Sequence, residues 1–111
     1  MKTAKSQTSL LTFALEPHKL NTQKFLTIIE TGPSSFGAFS PDIPGCIAFS
    51  TSRDETSALF RLAAEAHLQK LADAHEMIPV PVTTEIPGLA IGVQSGAITL
   101  EWTTVQFPFA A

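Results

Sequence analysis

The chain has 111 residues, 44% of them hydrophobic and 15% charged, with seven Lys+Arg against ten Asp+Glu and a formal net charge of −3. That length suits one domain with one core, and the apolar content excludes a chain too polar to fold. The acidic balance argues against direct DNA binding, because non-specific affinity grows with the Lys and Arg set against phosphates.

Residues 1–8 are rich in Lys, Thr, Ser and Gln and are expected to fray. The apolar stretch Ser9-Leu10-Leu11-Thr12-Phe13-Ala14-Leu15 reads either as a short strand or as a helical turn. It imitates a secretion-signal core but runs into Glu16-Pro17-His18-Lys19 without a small-residue cleavage site. No apolar run approaches the ~18–20 residues of a membrane helix, so no membrane association and a cytoplasmic location are expected. Residues 1–24 are expected to be a partly disordered N-terminal extension, and residues 25–111 a single domain.

Phe25-Leu26-Thr27-Ile28-Ile29-Glu30 is rich in β-branched and aromatic residues and predicts a strand, closed by the turn composition of Thr31-Gly32-Pro33-Ser34-Ser35. Phe36-Gly37-Ala38-Phe39-Ser40 predicts a second strand, Pro41-Asp42-Ile43-Pro44-Gly45 a second turn, and Cys46-Ile47-Ala48-Phe49-Ser50 a third strand. Tight connections of this kind read as an antiparallel meander.

The period then changes from two to 3.6. Ser52 and Glu55 have capping-box spacing, Asp54 adds negative charge to the first turn, and nothing breaks a helix before about His75. Phe60, Ala63, Ala64, His67, Leu68 and Leu71 form an apolar stripe wide enough to cover a sheet. Leu59, Leu62 and Ala66 make a smaller flanking patch, placed either to pack under the N-terminal segment or to meet a partner. Ile78-Pro79-Val80-Pro81-Val82 must be extended, and Glu85-Ile86-Pro87-Gly88 reads as a turn. Residues 98–109 predict a last strand in which the apolar phase moves from Ile98, Leu100 and Trp102 to Val105, Phe107 and Phe109, the mark of a bulge or of a change of buried face. The fold class is α+β, in the order β-β-β-α-β, with one long helix on a mainly antiparallel sheet.

Pro41-Asp42-Ile43-Pro44-Gly45-Cys46 resembles the Pro-Asp-Leu-Pro-Gly-Cys turn of the HicB family, the antitoxins of HicA–HicB toxin–antitoxin pairs. Ser52-Arg53-Asp54-Glu55 resembles the family's Thr-x-Glu-Glu helix start, with Thr56 in place of the following Ala. Ala63-Ala64-Glu65-Ala66-His67-Leu68 resembles Ala-Ile-Glu-x-His-Leu, and Ile78-Pro79-Val80-Pro81 resembles the closing Ile-Pro-x-Pro. The resemblance spans roughly residues 25 to 82. It marks Pro41, Asp42, Pro44, Gly45, Cys46, Glu55, His67 and Pro79 as family-motif positions. It implies a partial RNase-H-like fold and a non-enzymatic antitoxin module that neutralises a small HicA-like mRNA-cleaving toxin by protein–protein contact. The alternative is an orphan HicB-like homo-oligomeric scaffold or small-ligand module with no toxin. His75 stands where the family has Gly after the helix, which predicts a different turn there. Many family members also carry a C-terminal operator-binding domain. Here one further strand follows residue 82, which with the charge predicts no operator binding.

The carboxylates Glu30, Asp42, Glu55 and Glu65 are the candidates for a metal-dependent nuclease centre of the RNase-H kind. Each has a simpler role: Glu55 in the capping box, Glu65 on the solvent side of the helix, Asp42 bonding its own turn. Neither a metal nor another cofactor is expected. Cys46, the lone cysteine, has no basic neighbour in sequence to lower its pKa and reads as a small buried hydrophobe. His18, His67 and His75 lack ligand spacing, and His67 reads as a core histidine bonded to backbone. Trp102, Phe107 and Phe109 lack the flanking Lys and Arg of a base-stacking platform. A small sheet exposes unpaired edges, so a homodimer or a dimer of dimers is expected.

Overall fold

The computed structural model describes residues 20–108, and the expectations for residues 1–19 and for Phe109 lie outside them. Within that span the elements are β1 (Leu20–Thr31), β2 (Phe36–Phe39), β3 (Ile47–Ser50), α1 (Arg53–Asp73) and β4 (Ile98–Pro108). The strands form one antiparallel sheet in the order β3-β2-β1-β4, with the helix packed on it. This is the expected α+β arrangement.

β1 begins at Leu20, five positions before the apolar run that announced it. Asn21, Thr22, Gln23 and Lys24 carry no strand pattern of their own. They are extended because Phe107, Gln106, Val105 and Thr104 lie opposite them. That ladder runs without a break from Leu20↔Pro108 to Glu30↔Ile98, so β4 has no bulge and its phase shift is a change of buried face. Thr99, Thr103 and Val105 are buried on the helix side. Leu100 and Trp102 lie on the opposite side, the first closed off and the second 40% exposed.

Phe25, Ile29, Ala38 and Ala48 point from the sheet into a core completed by Phe60, Ala64 and Leu68 of the helix, with Ile43, Cys46 and Val105. The buried helix residues are Thr56, Phe60, Ala64, Leu68 and Ala72, an unbroken i,i+4 row. Ala63, His67 and Leu71, expected in the stripe with them, are half-buried on its flank. The contact line is thus the row through Phe60, Ala64 and Leu68, which leaves Ala63, His67 and Leu71 on one flank and Arg61 and Glu65 on the other, beside β4. One polar contact joins β1 and β4 on the core face of the sheet: the Thr27 and Thr103 hydroxyls lie 2.6 Å apart, both buried. Thr27 gives its proton to the Phe25 carbonyl, so Thr103 donates to Thr27, and both hydroxyls are satisfied without water.

At the helix start, the Ser52 hydroxyl accepts the Glu55 N–H at 3.2 Å, one half of the expected capping box. The other half is rerouted through Ser50, whose hydroxyl accepts the Ser52 N–H and donates to the Glu55 carboxylate at 2.7 Å. At the far end, His75 takes φ 57, the left-handed geometry a glycine would adopt. The His75 N–H reaches the Ala72 carbonyl and the Glu76 N–H the Leu71 carbonyl, so the capping motif forms in full and the turn does not differ as the missing glycine suggested. Packing of Ile78 onto the core holds the chain in this turn against the side-chain strain. His75→Gly is therefore expected to raise stability by about 0.5–1 kcal/mol, the left-handed penalty relieved less the extra backbone entropy of glycine. Thermal unfolding followed by circular dichroism reads this as a rise in Tm.

Residues 79–97 are extended and turned, and part of this segment lies along the outer edge of β4. The Gly92 N–H donates to the Leu100 carbonyl at 2.8 Å, and Ser95 and Ile98 exchange a pair of backbone bonds. Farther along, the Gln106 N–H donates to the Glu65 carboxylate at 2.9 Å. Glu65 is thus half-buried and turned toward the sheet edge, contrary to the solvent role expected of it. The helix wheel misplaced it because the contact line runs through Phe60, Ala64 and Leu68, which brings the Arg61 and Glu65 flank of the helix beside β4.

Candidate functional site

Of the family-motif positions, Pro41, Asp42, Pro44, Gly45 and Cys46 share the turn between β2 and β3 and His67 faces it from the helix, whereas Glu55 lies at the Ser50 end of β3. Between β2 and β3 the chain folds back on itself: the Ile43 N–H donates to the Ser40 carbonyl, the Asp42 N–H to the Ser40 hydroxyl, and the Cys46 N–H to the Ile43 carbonyl. Gly45 at φ 84 makes the reversal that a side chain would strain. Ile43 is fully buried and plugs the core, while Pro41 and Pro44 flank it at the surface.

The Asp42 carboxylate does not bond its own turn, as its sequence context suggested. It accepts the Val82 N–H at 3.1 Å, the Thr83 N–H at 2.8 Å and the Thr83 hydroxyl at 2.9 Å. The acidic member of the motif is therefore a clamp on the segment that leaves the helix through Pro79 and Pro81. A carboxylate can take all three donors because it offers two oxygens and about four lone-pair sites. Val82 and Thr83 escaped sequence reasoning because no local pattern connects residues forty positions apart.

Beside this turn an open cleft separates Gly45, Cys46 and Ile47 from Ala63, Ala66, His67 and Lys70 of the helix. Cys46 forms its floor and is buried, and that burial pushes the thiol up from its ordinary pKa, away from nucleophilic character. His67 is half-buried at the wall, with no hydrogen-bond partner among the described residues, so it is not the backbone-bonded core histidine expected. The shift of the contact line to the row through Leu68 accounts for this. Ala63 and Ala66 give the cleft its depth, since neither side chain extends past Cβ. On the outer side of Ala66, Leu59 and Leu62 are 39% and 54% exposed, so the flanking patch lies at the surface next to the cleft.

The four candidate metal carboxylates do not meet. Asp42 is committed to residues 82 and 83, Glu55 to Ser50, and Glu65 to Arg61 and Gln106, while Glu30 is exposed near the end of β1. Among the described residues no group of three His, Cys, Asp or Glu is placed to hold a metal ion. No described helix is long and apolar enough to cross a membrane.

No family model matches the sequence, and no curated protein does. Solved structures do match. The crystal structure of the N-terminal domain of Burkholderia pseudomallei antitoxin HicB is similar at a TM-score of 0.57 and 18% identity, covering 72% of this chain and 94% of that one. A HicA3–HicB3 toxin–antitoxin complex is also found, at a TM-score of 0.49 and 21% identity, over 56% of this chain and 72% of that one. At such identities the likeness is one of fold. A three-stranded meander, a helix packed on it and a long fourth strand beside the first give this chain a HicB-like fold, that of the antitoxin's N-terminal domain.

Proposed function

We propose that the chain is an antitoxin-like binding module that neutralises a small HicA-like, mRNA-cleaving toxin by protein–protein contact. The observation that carries this reading is the likeness to the N-terminal domain of an antitoxin, HicB, over nearly the whole of that domain. The motif turn at Pro41-Asp42-Ile43-Pro44-Gly45-Cys46 supports it from the sequence side. So does the net charge of −3, since an acidic surface speeds the encounter with a basic, RNA-binding enzyme. The role is one of covering the toxin's active site rather than of chemistry, and it needs neither cofactor nor operator DNA.

The test is co-expression with a HicA-like toxin recovered by pull-down of the tagged chain from its native cytoplasm. Growth arrest by the toxin alone should be relieved when this chain is present, and the purified chain should suppress RNA cleavage at equimolar ratio. Persistent arrest and cleavage, with both proteins soluble, would refute the reading.

A further inference from the structure

The two edges of the sheet are treated differently. β4 is covered in part by the backbone of residues 92 and 95 and by Glu65. β3, the opposite edge, has no such cover among the described residues. The register shows which of its backbone groups are open. Gly92 bonds Leu100 from outside, so the even positions of β4 face outward and the odd positions face β1. Carried across the ladders, this alternation turns Gly37 and Phe39 toward β1 and pairs Ala38 with Ala48 and Phe36 with Ser50. The N–H and C=O groups of Ile47 and Phe49 are left pointing away from the sheet.

Their side chains are exposed as well, at 53% and 63%, on the face away from the helix. The Phe49 ring is held in place over Gly37, where an added Cβ would lie 3.0 Å from it. β3 is a short edge, four residues long, but its sequence, Ile-Ala-Phe-Ser, carries neither the charge nor the proline that protect a free edge.

We propose that β3 pairs antiparallel with β3 of a second copy of this chain about a two-fold axis through Ala48, giving a continuous eight-stranded sheet. In this register Ile47 of each copy lies opposite Phe49 of the other, and the two are a hydrogen-bonded pair. Each pair exchanges two backbone bonds and sets an aliphatic side chain against an aromatic one, so both exposed residues are buried twice over by symmetry. Ala48 meets its own copy at the close-approach position, where a small side chain fits. A chain of net charge −3 repels itself least along an uncharged strip, and β3 is such a strip, so a second copy suits it better than a basic partner. The flanking charges agree. Glu55 stands at the Ser50 end of the strand and Lys70 at the Gly45 end, and the two-fold axis brings unlike ends together. This inference concerns the chain alone and is independent of the toxin-binding reading.

Sedimentation equilibrium of the full chain, with no toxin present, should give a dimer. Ile47→Lys and Phe49→Lys should each weaken it at least about tenfold, the equivalent of ~1.4 kcal/mol, by placing a charge in the new pair. Trp102→Lys, on the same sheet face but in β4, should leave it unchanged. Circular dichroism checks that the variants remain folded, and Ile47→Lys serves if losing the Phe49 ring over Gly37 disturbs the sheet. The register has its own test: Ala48→Cys in a Cys46→Ser background should cross-link on oxidation, because Cα atoms ~4.5 Å apart in such a pair suit a disulfide. A monomer at every concentration, a dimer indifferent to both lysine substitutions, or a dimer that fails to cross-link would overturn the proposal.

Discussion

Phe60→Ala is expected to lower stability by about 3–5 kcal/mol, read as a drop in the urea midpoint with an unchanged m-value. Phe60 is fully buried as the second residue of the i,i+4 row and belongs to one core with Phe25, Ile29, Ala38 and Val105. Its ring lies between helix and sheet, where backbone on both sides resists collapse, so truncation leaves a cavity as well as lost burial. For a domain of this size, with stability on the order of 5–15 kcal/mol, that loss brings the fold near its threshold. A change below about 1 kcal/mol would mean that another row faces the sheet. Leu62→Ala is the natural comparison: Leu62 is 54% exposed, and its truncation should cost far less.

Asp42→Ala should cost about 1–3 kcal/mol and should act at a distance in sequence. The substitution removes the acceptor for the Val82 and Thr83 N–H groups and the Thr83 hydroxyl together. Water can reach this half-buried site, which keeps the loss below that of three bonds in a sealed core. The diagnostic is local. Amide exchange at Val82 and Thr83 should quicken, while the helix amides around Phe60 slow or quicken only with global stability. Asp42→Asn, which keeps one side-chain acceptor, should fall between the two. Equal acceleration everywhere would show that the carboxylate supports the turn and not the clamp.

Much of this architecture is legible in the residues themselves. The apolar run 25–30, the turns at 32–35 and 41–45, and the shift to helical spacing after Ser52 are local signals, and local interactions enforce them. What stayed hidden is non-local. Asn21-Thr22-Gln23-Lys24 is strand only because β4 lies opposite. The contact line of the helix depends on the twist of the sheet beneath it, so a wheel drawn from sequence put His67 in the stripe and Glu65 in solvent. His75 adopts a left-handed turn that its own preference disfavours, because Ile78 and two backbone bonds beyond the helix require it. Among the motif positions, the sequence marks Asp42 as special but cannot say why, since the partners that give it a role are forty residues away. The Thr27–Thr103 bond is hidden for the same reason: two threonines in strands predict half-buried polar positions, not each other.

The pairing of β1 with β4 also bears on how fast the molecule forms. Eleven residue pairs join the first described strand to the last, and both shorter strands and the helix lie between them along the chain. The meander and helix can assemble from neighbours in sequence, whereas this ladder must first close a long loop whose entropy is lost before any bond is gained. Docking of these distant segments is therefore expected to limit the folding rate, and until it occurs the longest strand would present an open ladder to any other chain. Refolding yield should fall as protein concentration rises, for a reason that lies in topology and not in final stability.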